Sequence, residues 1–571
     1  MALTVEERPV AGHVRGFAEG ASPTVRMGFG SLRIGSRFYP VRVFAVPLLL
    51  AGAAAVLTAR WAVTTPWWAA FAAAYPAVTP EPGIPTGYTA WVRWLHYLSF
   101  LVMTILARSG VQILADHPRL YWTIHSTPNR EWIRFRGPVP QNRIWTAKDD
   151  SVYLPGAIGL PGGRHVIGLA RIWHFFGVLS WVLVGVVFYA ALLTTDQWRR
   201  LVPDSWTVFP RALTTLVAYA SLHVPPGDGG VFDNALQQLA YSATVFVAAP
   251  LSILTGLAMS PALVNTHPFF QRIFGNRQAA RSIHFLLGTY YLMFFVVHIT
   301  MVAITNLRGN MNRMFAGIDS GAAWTGVAIG TLGILAVIAF NVFANRVSWR
   351  APRALQHLYQ RTVLPVMGAA LDRFNPGAEY GPGDISPYLW PNGRLPASAE
   401  YARLRDGGFR DYRLRVSGEV ERPVELSLAE IRALPKHEQI TLLHCVQGWS
   451  GIAAWGGLQL SALMDIVKPR SAARYAVFYS FGEGGGGGPY YDVHEIHELH
   501  HPNAILAYEM NGAPLPVVHG APLRLRNERQ LGFKMVKWVQ AIEFVADYRT
   551  IGAGEGGYNE DHEYFGNKAE I

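Results

Sequence analysis

Apolar residues follow two regimes along this chain. Up to about residue 345 they form long runs; beyond it they mix with polar residues as in an ordinary globular sequence. Six stretches approach the roughly 20 apolar residues that cross a bilayer as a helix. They are 43–63, 90–114, 171–194, 236–259, 282–305 and 323–345. Arg60 interrupts the first, and the apolar run Trp67–Val78 follows closely, so 43–80 could hold one span or more. Arg350–Leu371 has the pattern of an amphipathic helix lying along a membrane face. From Ile385 onward, segments such as Asp411–Val416 and Leu426–Ile431 predict alternating strands and helix starts, an α+β domain. The expected division is an N-terminal segment 1–42, a membrane bundle 43–345, a linker 346–384 and a soluble domain 385–571.

Composition agrees with a membrane half, since 51% of the 571 residues are hydrophobic and only 15% charged. The formal charge of +11 does not indicate nucleic acid, because the arginines cluster in loops between spans, where they set topology. Arg8, Arg15, Arg26, Arg33, Arg37 and Arg42 precede the first span. Arg119, Arg130, Arg134, Arg136, Arg143, Lys148 and Arg164 lie between the second and third. Arg272, Arg277 and Arg281 lie between the fourth and fifth, and Arg346, Arg350 and Arg353 follow the sixth. In the opposite loops the positive charges are balanced by Asp196, Asp204, Asp228 and Asp319. Positive loops favour the cytoplasm, so both termini and the soluble domain are expected there. Met1–Pro40 shows no twin-arginine pair and no short apolar leader, which leads to the same expectation.

Four histidines fall inside the spans, where ionisable groups are costly and point to function: His96, His174, His284 and His298. The last two share one helix, 14 residues apart. That spacing is about 21 Å along the axis and about 40° off one face. His174 and His284 begin spans entering from the inner side, while His96 and His298 lie level near the outer side. Two bis-imidazole haem b sites follow, His174 with His284 and His96 with His298, a ligand set suited to electron transfer. Four structural histidines are the alternative, and four at matched depth favour haem. Residues 90–305 resemble the diheme b-type cytochrome subunits of bacterial hydrogenases and formate dehydrogenases. The likeness implies a four-helix diheme core; with the chain taken as a whole, a quinone is expected as electron carrier. Gly177 and Gly288, just past two of the histidines, could make room for a macrocycle.

The single cysteine, Cys445, stands in Leu443-His444-Cys445-Val446-Gln447-Gly448-Trp449-Ser450. A lone cysteine usually packs as a small hydrophobe. Here it is followed by Ile505–Gly512, His519–Leu525 and Gly532–Trp538, and preceded by Ile385–Tyr388 and Ser417–Pro423. In that order these segments resemble the molybdopterin-binding domain of the sulfite oxidase family. The resemblance implies that Cys445 is the protein ligand to molybdenum. It implies that His519, Arg524 and Lys537, with Lys534 a further candidate, hold the pterin phosphate, and that Asn392 hydrogen-bonds the pterin. Tungsten remains open as the metal. Where sulfite oxidases carry an arginine five residues past the cysteine, this chain has Ser450, and the local sequence resembles bacterial protein-methionine-sulfoxide reductase catalytic subunits.

Two further patterns need weighing. His497-Glu498-Leu499-His500-His501 matches a zinc signature, but Pro502 follows at once and argues against the continuous helix that signature needs. Gly482–Gly488 lacks a following Lys-Ser/Thr and is expected to be a lid over the molybdenum pocket. Of its flanking tyrosines, Tyr479 is the candidate to steady a substrate oxygen, with aromatic packing as the alternative.

The expected fold is a membrane α-helical bundle of about six spans with a four-helix diheme core, joined to a cytoplasmic α+β molybdopterin-binding domain of sulfite oxidase type. Its setting would be the bacterial cytoplasmic membrane. Its partners would be lipid, quinone or quinol and a small-molecule oxide; nucleic acid is not expected, and an oligomer is possible but not indicated by the sequence. Electrons would run from quinol through two haems to molybdenum and reduce an S-oxide or N-oxide. The alternative is the reverse flow, from a sulfite-like donor to quinone. From other classes, a membrane sensor or transporter would bind no redox centre, and a haem-only transmembrane reductase would not need Cys445.

Overall fold

The computed structural model describes residues 27–78, 88–140, 142–162, 167–225, 234–260, 263, 268–319, 322–371, 380–484 and 487–566. Arg8, Arg15, Arg26, Arg164 and Asp228, used above to argue topology, lie outside these residues, as do Gly485 and Gly486 of the expected lid.

Among the described residues six helices are long and apolar enough to cross a membrane: α1 Val41–Ala62, α2 Ala90–Asp116, α3 Ile167–Leu193, α4 Ala235–Ala258, α5 Arg277–Ala316 and α6 Thr325–Arg350. A helix of about 26 residues spans about 39 Å at 1.5 Å per residue, enough for a hydrocarbon core of about 30 Å. Their large apolar side chains point outward, among them Leu48 to Leu50 on α1, Val186 and Val187 on α3, and Leu292 and Met293 on α5. A solvent of lipid suits such a surface. Within the described part of 43–80, residues 43–78, there is one long helix, followed by the short helix Pro66–Ala74. α5 starts at Asn276, whose side chain accepts from the Gln278 and Ala279 amides. Arg277 and Arg281, read as loop charges in the sequence, are therefore in its first turns.

At one end of the bundle the loop after α2 is folded rather than open. Strands β1 Ser31–Ile34, β2 Arg37–Pro40, β3 Arg119–Leu120 and β4 Ile133–Arg134 form a four-stranded sheet in the order β2-β1-β4-β3. Arg119 is fully buried there and pairs with Glu131 (2.6 Å) and Asp150 (2.8 Å). Burial of such a cation requires this pairing.

Among the described residues the C-terminal half contains two five-stranded sheets. One comprises β5 Arg413–Gly418, β6 Val424–Ser427, β9 Tyr475–Glu483, β10 Pro489–Glu495 and β14 Val539–Val545, in the order β10-β9-β14-β5-β6. The other comprises β7 Lys436–His444, β8 Ser450–Gln459, β11 Ile505–Met510, β12 Ala513–Pro514 and β13 Arg524–Arg526. Its order is β12-β11-β8-β7, with β13 on β11. One core joins Phe478, Ile542 and Phe544 of the first sheet to Leu458, Leu506 and Leu525 of the second. The stretch expected as a linker contains helix α7, Pro352–Leu371, which packs Tyr359 on Phe175 and Phe176 of α3.

Candidate functional site

α3 and α5 bring His174 and His284 together with ring centres 6.4 Å apart. α2 and α5 bring His96 and His298 to 6.2 Å. Both gaps are too wide for direct bonding. Each has the width of one metal atom with two metal–nitrogen bonds of about 2 Å plus about 1 Å from each nitrogen to its ring centre. The hydrogen bonds favour the same reading. Ser109 Oγ lies 3.1 Å from His174 Nδ1, and its own proton goes to Ile105 O (2.7 Å). Thr255 Oγ1 lies 3.0 Å from His284 Nδ1 and donates to Leu251 O (2.8 Å). Each hydroxyl must therefore accept from Nδ1–H, which leaves the Nε2 lone pair free for a metal. At the His96–His298 pair Tyr241 OH is 3.4 Å from His298 Nδ1, and Phe294 stacks on the same ring. The residue after each inner hydroxyl is glycine: a Cβ on Gly110 would stand 3.6 Å from His174, and one on Gly256 3.9 Å from His284. The expected Gly177 instead packs α3 on α2, since its Cβ would meet Leu106 at 2.9 Å, while Gly288 faces open space.

Sequence reasoning missed these hydroxyls and glycines. One signal was available: Tyr241 and Thr255 on α4 repeat the 14-residue spacing of His298 and His284.

Cys445 follows β7 and is 1% exposed. Its amide donates to Trp449 O (3.0 Å) and its carbonyl accepts from Gly448 (3.1 Å), a tight turn that Gly448 enters at φ +111°. Burial pushes the thiol up to about 12; Asp116 adds to this, while the Gln447 backbone and Arg277 oppose it. Without a metal the thiol stays protonated, and a soft metal would displace that proton. Asn392 Nδ2 is 4.0 Å from Sγ.

A basic cluster lies beyond. Lys537 Nζ donates to Val518 O (2.9 Å) and to Asn392 O, which ties the Asn392 turn to the His519 loop. Arg524 Nη1 donates to His519 O (3.0 Å). Burial and then the Arg524 and Lys537 cations hold His519 at about 3. Burial and Arg524 likewise hold the Lys537 ammonium well below its usual range. Neighbouring Arg526 is answered by Glu528 (2.7 Å), whereas His519, Arg524 and Lys537 make no ion pair among the described residues. Convergent basic groups with no direct ion pair fit a phosphate dianion, although Glu528 lies within electrostatic reach of Arg524.

Two expected residues stand elsewhere. Lys534 is not with the basic cluster. Burial opposes its charge, but Asp492 (2.7 Å) and Glu560 (2.6 Å) hold the ammonium above its usual value. Tyr479 is not brought to Cys445. It lies in the other sheet, packs with Tyr491 and Tyr558, and donates to Glu543 (2.9 Å). The His497 motif forms only the short helix Ile496–Leu499, with Glu498 turned inward to Gln530.

The two parts meet at the cysteine turn. Gln278 Nε2 on α5 donates to Gly448 O (2.8 Å) and Ser450 Oγ (2.9 Å). Ser450 Oγ in turn donates to Ile124 O (2.8 Å), and Ser126 Oγ accepts from the Ser450 amide (3.0 Å). α5 thus carries both histidine sites and abuts the Cys445 turn.

This arrangement defines a molybdopterin oxidoreductase coupled to a membrane cytochrome b. The oxidoreductase molybdopterin binding domain family matches residues 403–550, and the prokaryotic cytochrome b561 family matches residues 87–317. YedZ1 of Azospira oryzae, a proposed protein-methionine-sulfoxide reductase subunit, is 30% identical over 204 residues, covering 34% of this chain and 73% of that protein. The chain belongs to the family of that relative. The protein-methionine-sulfoxide reductase catalytic subunit MsrP of Xanthomonas campestris pv. campestris is 35% identical over 142 residues, 23% of this chain and 44% of the relative. That of Campylobacter jejuni is 30% identical over 149 residues, 24% of this chain and 50% of the relative. The chain therefore spans half or less of these catalytic relatives. Among solved structures, the sulfane dehydrogenase SoxCD from Paracoccus pantotrophus shares 20% identity at a TM-score of 0.22, over 24% of this chain and 39% of its own. That likeness is too slight to bear on function.

Proposed function

We propose that the protein takes electrons from membrane quinol and uses them to reduce an S-oxide or N-oxide at Cys445. The continuity of α5, from the outer His298 through His284 to the Cys445 turn, carries this reading. Two haem b groups would supply one-electron carriage within the bundle, and a molybdenum cofactor would supply two-electron oxygen removal. The chain's own residues set the geometry. His96 and His298 hold the outer site, and His174 and His284 the inner. Cys445 offers the thiolate, Asn392 lies beside it, and His519, Arg524 and Lys537 receive the pterin phosphate. The oxide takes two electrons and two protons to give the reduced product and water.

Ser450 supports a neutral substrate. Its hydroxyl is committed to Ile124 O and Gln278, so that position presents no charged fork to an anion. With the charge pattern of the loops, the working division is a bundle 43–345 and a catalytic domain 385–571, joined by 346–384, on the cytoplasmic face of a bacterial membrane. The segment 1–42 would lie on the same face.

Purified protein reduced anaerobically with a quinol analogue tests the direction. Methionine sulfoxide or another oxide should reoxidise the b-haem bands, and Cys445→Ser should abolish this. Haems that stay reduced with every oxide, but are reduced by sulfite when oxidised, would establish the opposite flow.

A further inference from the structure

Two arginines on the cytochrome helices, Arg171 and Arg277, make no ion pair with a carboxylate among the described residues. Arg171 is one turn before His174 on α3, and Arg277 two turns before His284 on α5. Offsets of three and seven residues keep both near the histidine faces of their helices, about 4.5 and about 10.5 Å along the axis. Arg277 stands within the electrostatic reach of Arg171 and Arg281, and Arg171 within that of Tyr359 and of a Cys445 thiolate. Arg277 Nε donates to Met259 O at the end of α4 (3.1 Å), and Nη1 reaches Cys445 O at 3.5 Å. Arg171 lies over the Phe175 ring at 5.4 Å. Among the described residues neither pairs with Asp or Glu, whereas Arg119, Arg134 and Arg353 all do. Arg281, also beside the pair, is committed to the carbonyls of His117 and Arg119 (2.8 Å each) at the end of α2.

Arg277 is buried and Arg171 half-buried, and cations brought together in such a place without a paired carboxylate are costly. A dianion one to two turns from the imidazoles would neutralise them, and a b-type haem carries two propionate carboxylates along one edge. We propose that Arg171 and Arg277 bind the two carboxylates of the haem held by His174 and His284. Arg277, through the Cys445 carbonyl, then ties that haem edge to the molybdenum turn. This rests on the haem reading of the inner histidines and goes further by fixing the haem's orientation, with its carboxylate edge towards Cys445. Both arginines are positioning residues. Their guanidinium forks match carboxylate geometry, which an ammonium does not.

Redox titration of the full-length protein, followed at the b-haem bands, tests the assignment. In Arg171→Gln and in Arg277→Gln both haems should remain. The potential of one haem should fall, because a nearby cation favours the reduced centre, and that potential should become pH-dependent as a freed carboxylate titrates. The other haem should not move. Arg171→Lys and Arg277→Lys should lie between wild type and the glutamine variants, and they carry the test if a glutamine variant loses haem. Two unmoved potentials in all four variants overturn the proposal. So does an effect confined to the KM of the oxide, which would assign the arginines to substrate. His174→Ala separates the two levels. Loss of one haem there with unmoved arginine variants refutes only the carboxylate assignment, whereas two retained haems refute the inner haem site itself.

Discussion

Each inner imidazole is oriented by a hydroxyl whose own proton is committed to helix backbone, so Ser109 and Thr255 fix which nitrogen faces the gap. Thr255→Val keeps the shape and removes the acceptor. Loss of such outer partners weakens metal-site affinity by about 10–100-fold, so Thr255→Val should release haem from the inner site, read as haem per protein. The four histidines were legible in the sequence because an ionisable group in a bilayer is conspicuous. Their hydroxyl partners were not, because serine and threonine within spans commonly bond the preceding turn and look alike whether or not a histidine is near. Lys534 shows the opposite failure. It stands three residues before Lys537 in the same family segment, yet the turn Gly532–Lys534 sends it to Asp492 and Glu560. Lys534→Met would bury both carboxylates unanswered and should cost about 3–5 kcal/mol in unfolding measurements, while Lys537→Met should weaken cofactor retention. His519 gives a pH signature. Its folded value of about 3 lies below the usual 6.5, so below pH 6.5 the unfolded chain binds the extra proton. In cofactor-free protein, stability should fall as pH drops from 6.5 towards 3, and His519→Gln should flatten part of that slope in thermal unfolding.

At the scale of elements, α5 is both the scaffold of the two histidine sites and the docking edge for the catalytic turn. Gln278→Ala would remove its bonds to Gly448 and Ser450, each such buried bond costing about 1–3 kcal/mol when a partner is left unmet. Haem content should stay intact, while reoxidation of the inner haem by the oxide should slow in stopped-flow traces. The six spans could be read in advance because lipid selects apolar length, a property of sequence alone. The folded loop after α2 could not, because its two-residue strands carry no periodicity and are accompanied by the long-range pairing of Arg119 with Glu131 and Asp150. That loop supplies Ile124 and Ser126 to the cysteine turn, so much of the contact between the two parts was invisible in periodicity.

At the scale of the whole molecule, the catalytic part is held against one end of the bundle at, among other places, the cysteine turn and helix α7. The cysteine turn sits on α5 and the loop after α2. On the other side Arg353 of α7 donates to Asp561 O (2.7 Å) and Gln356 to Glu560 O (2.9 Å). The strand and helix alternation and the motif order announced the catalytic fold, but not this docking, which depends on backbone carbonyls that carry no side-chain signature. The central claim is a single electron line, with the inner site standing between the outer site and Cys445. Stopped-flow spectroscopy of His284→Ala and His298→Ala tests it most directly. With His284 removed, quinol should still reduce the remaining haem, but an oxide should no longer reoxidise it. With His298 removed, quinol reduction should fail, while chemically reduced inner haem should still be reoxidised by the oxide. Rapid reoxidation by the oxide in His284→Ala would contradict the account.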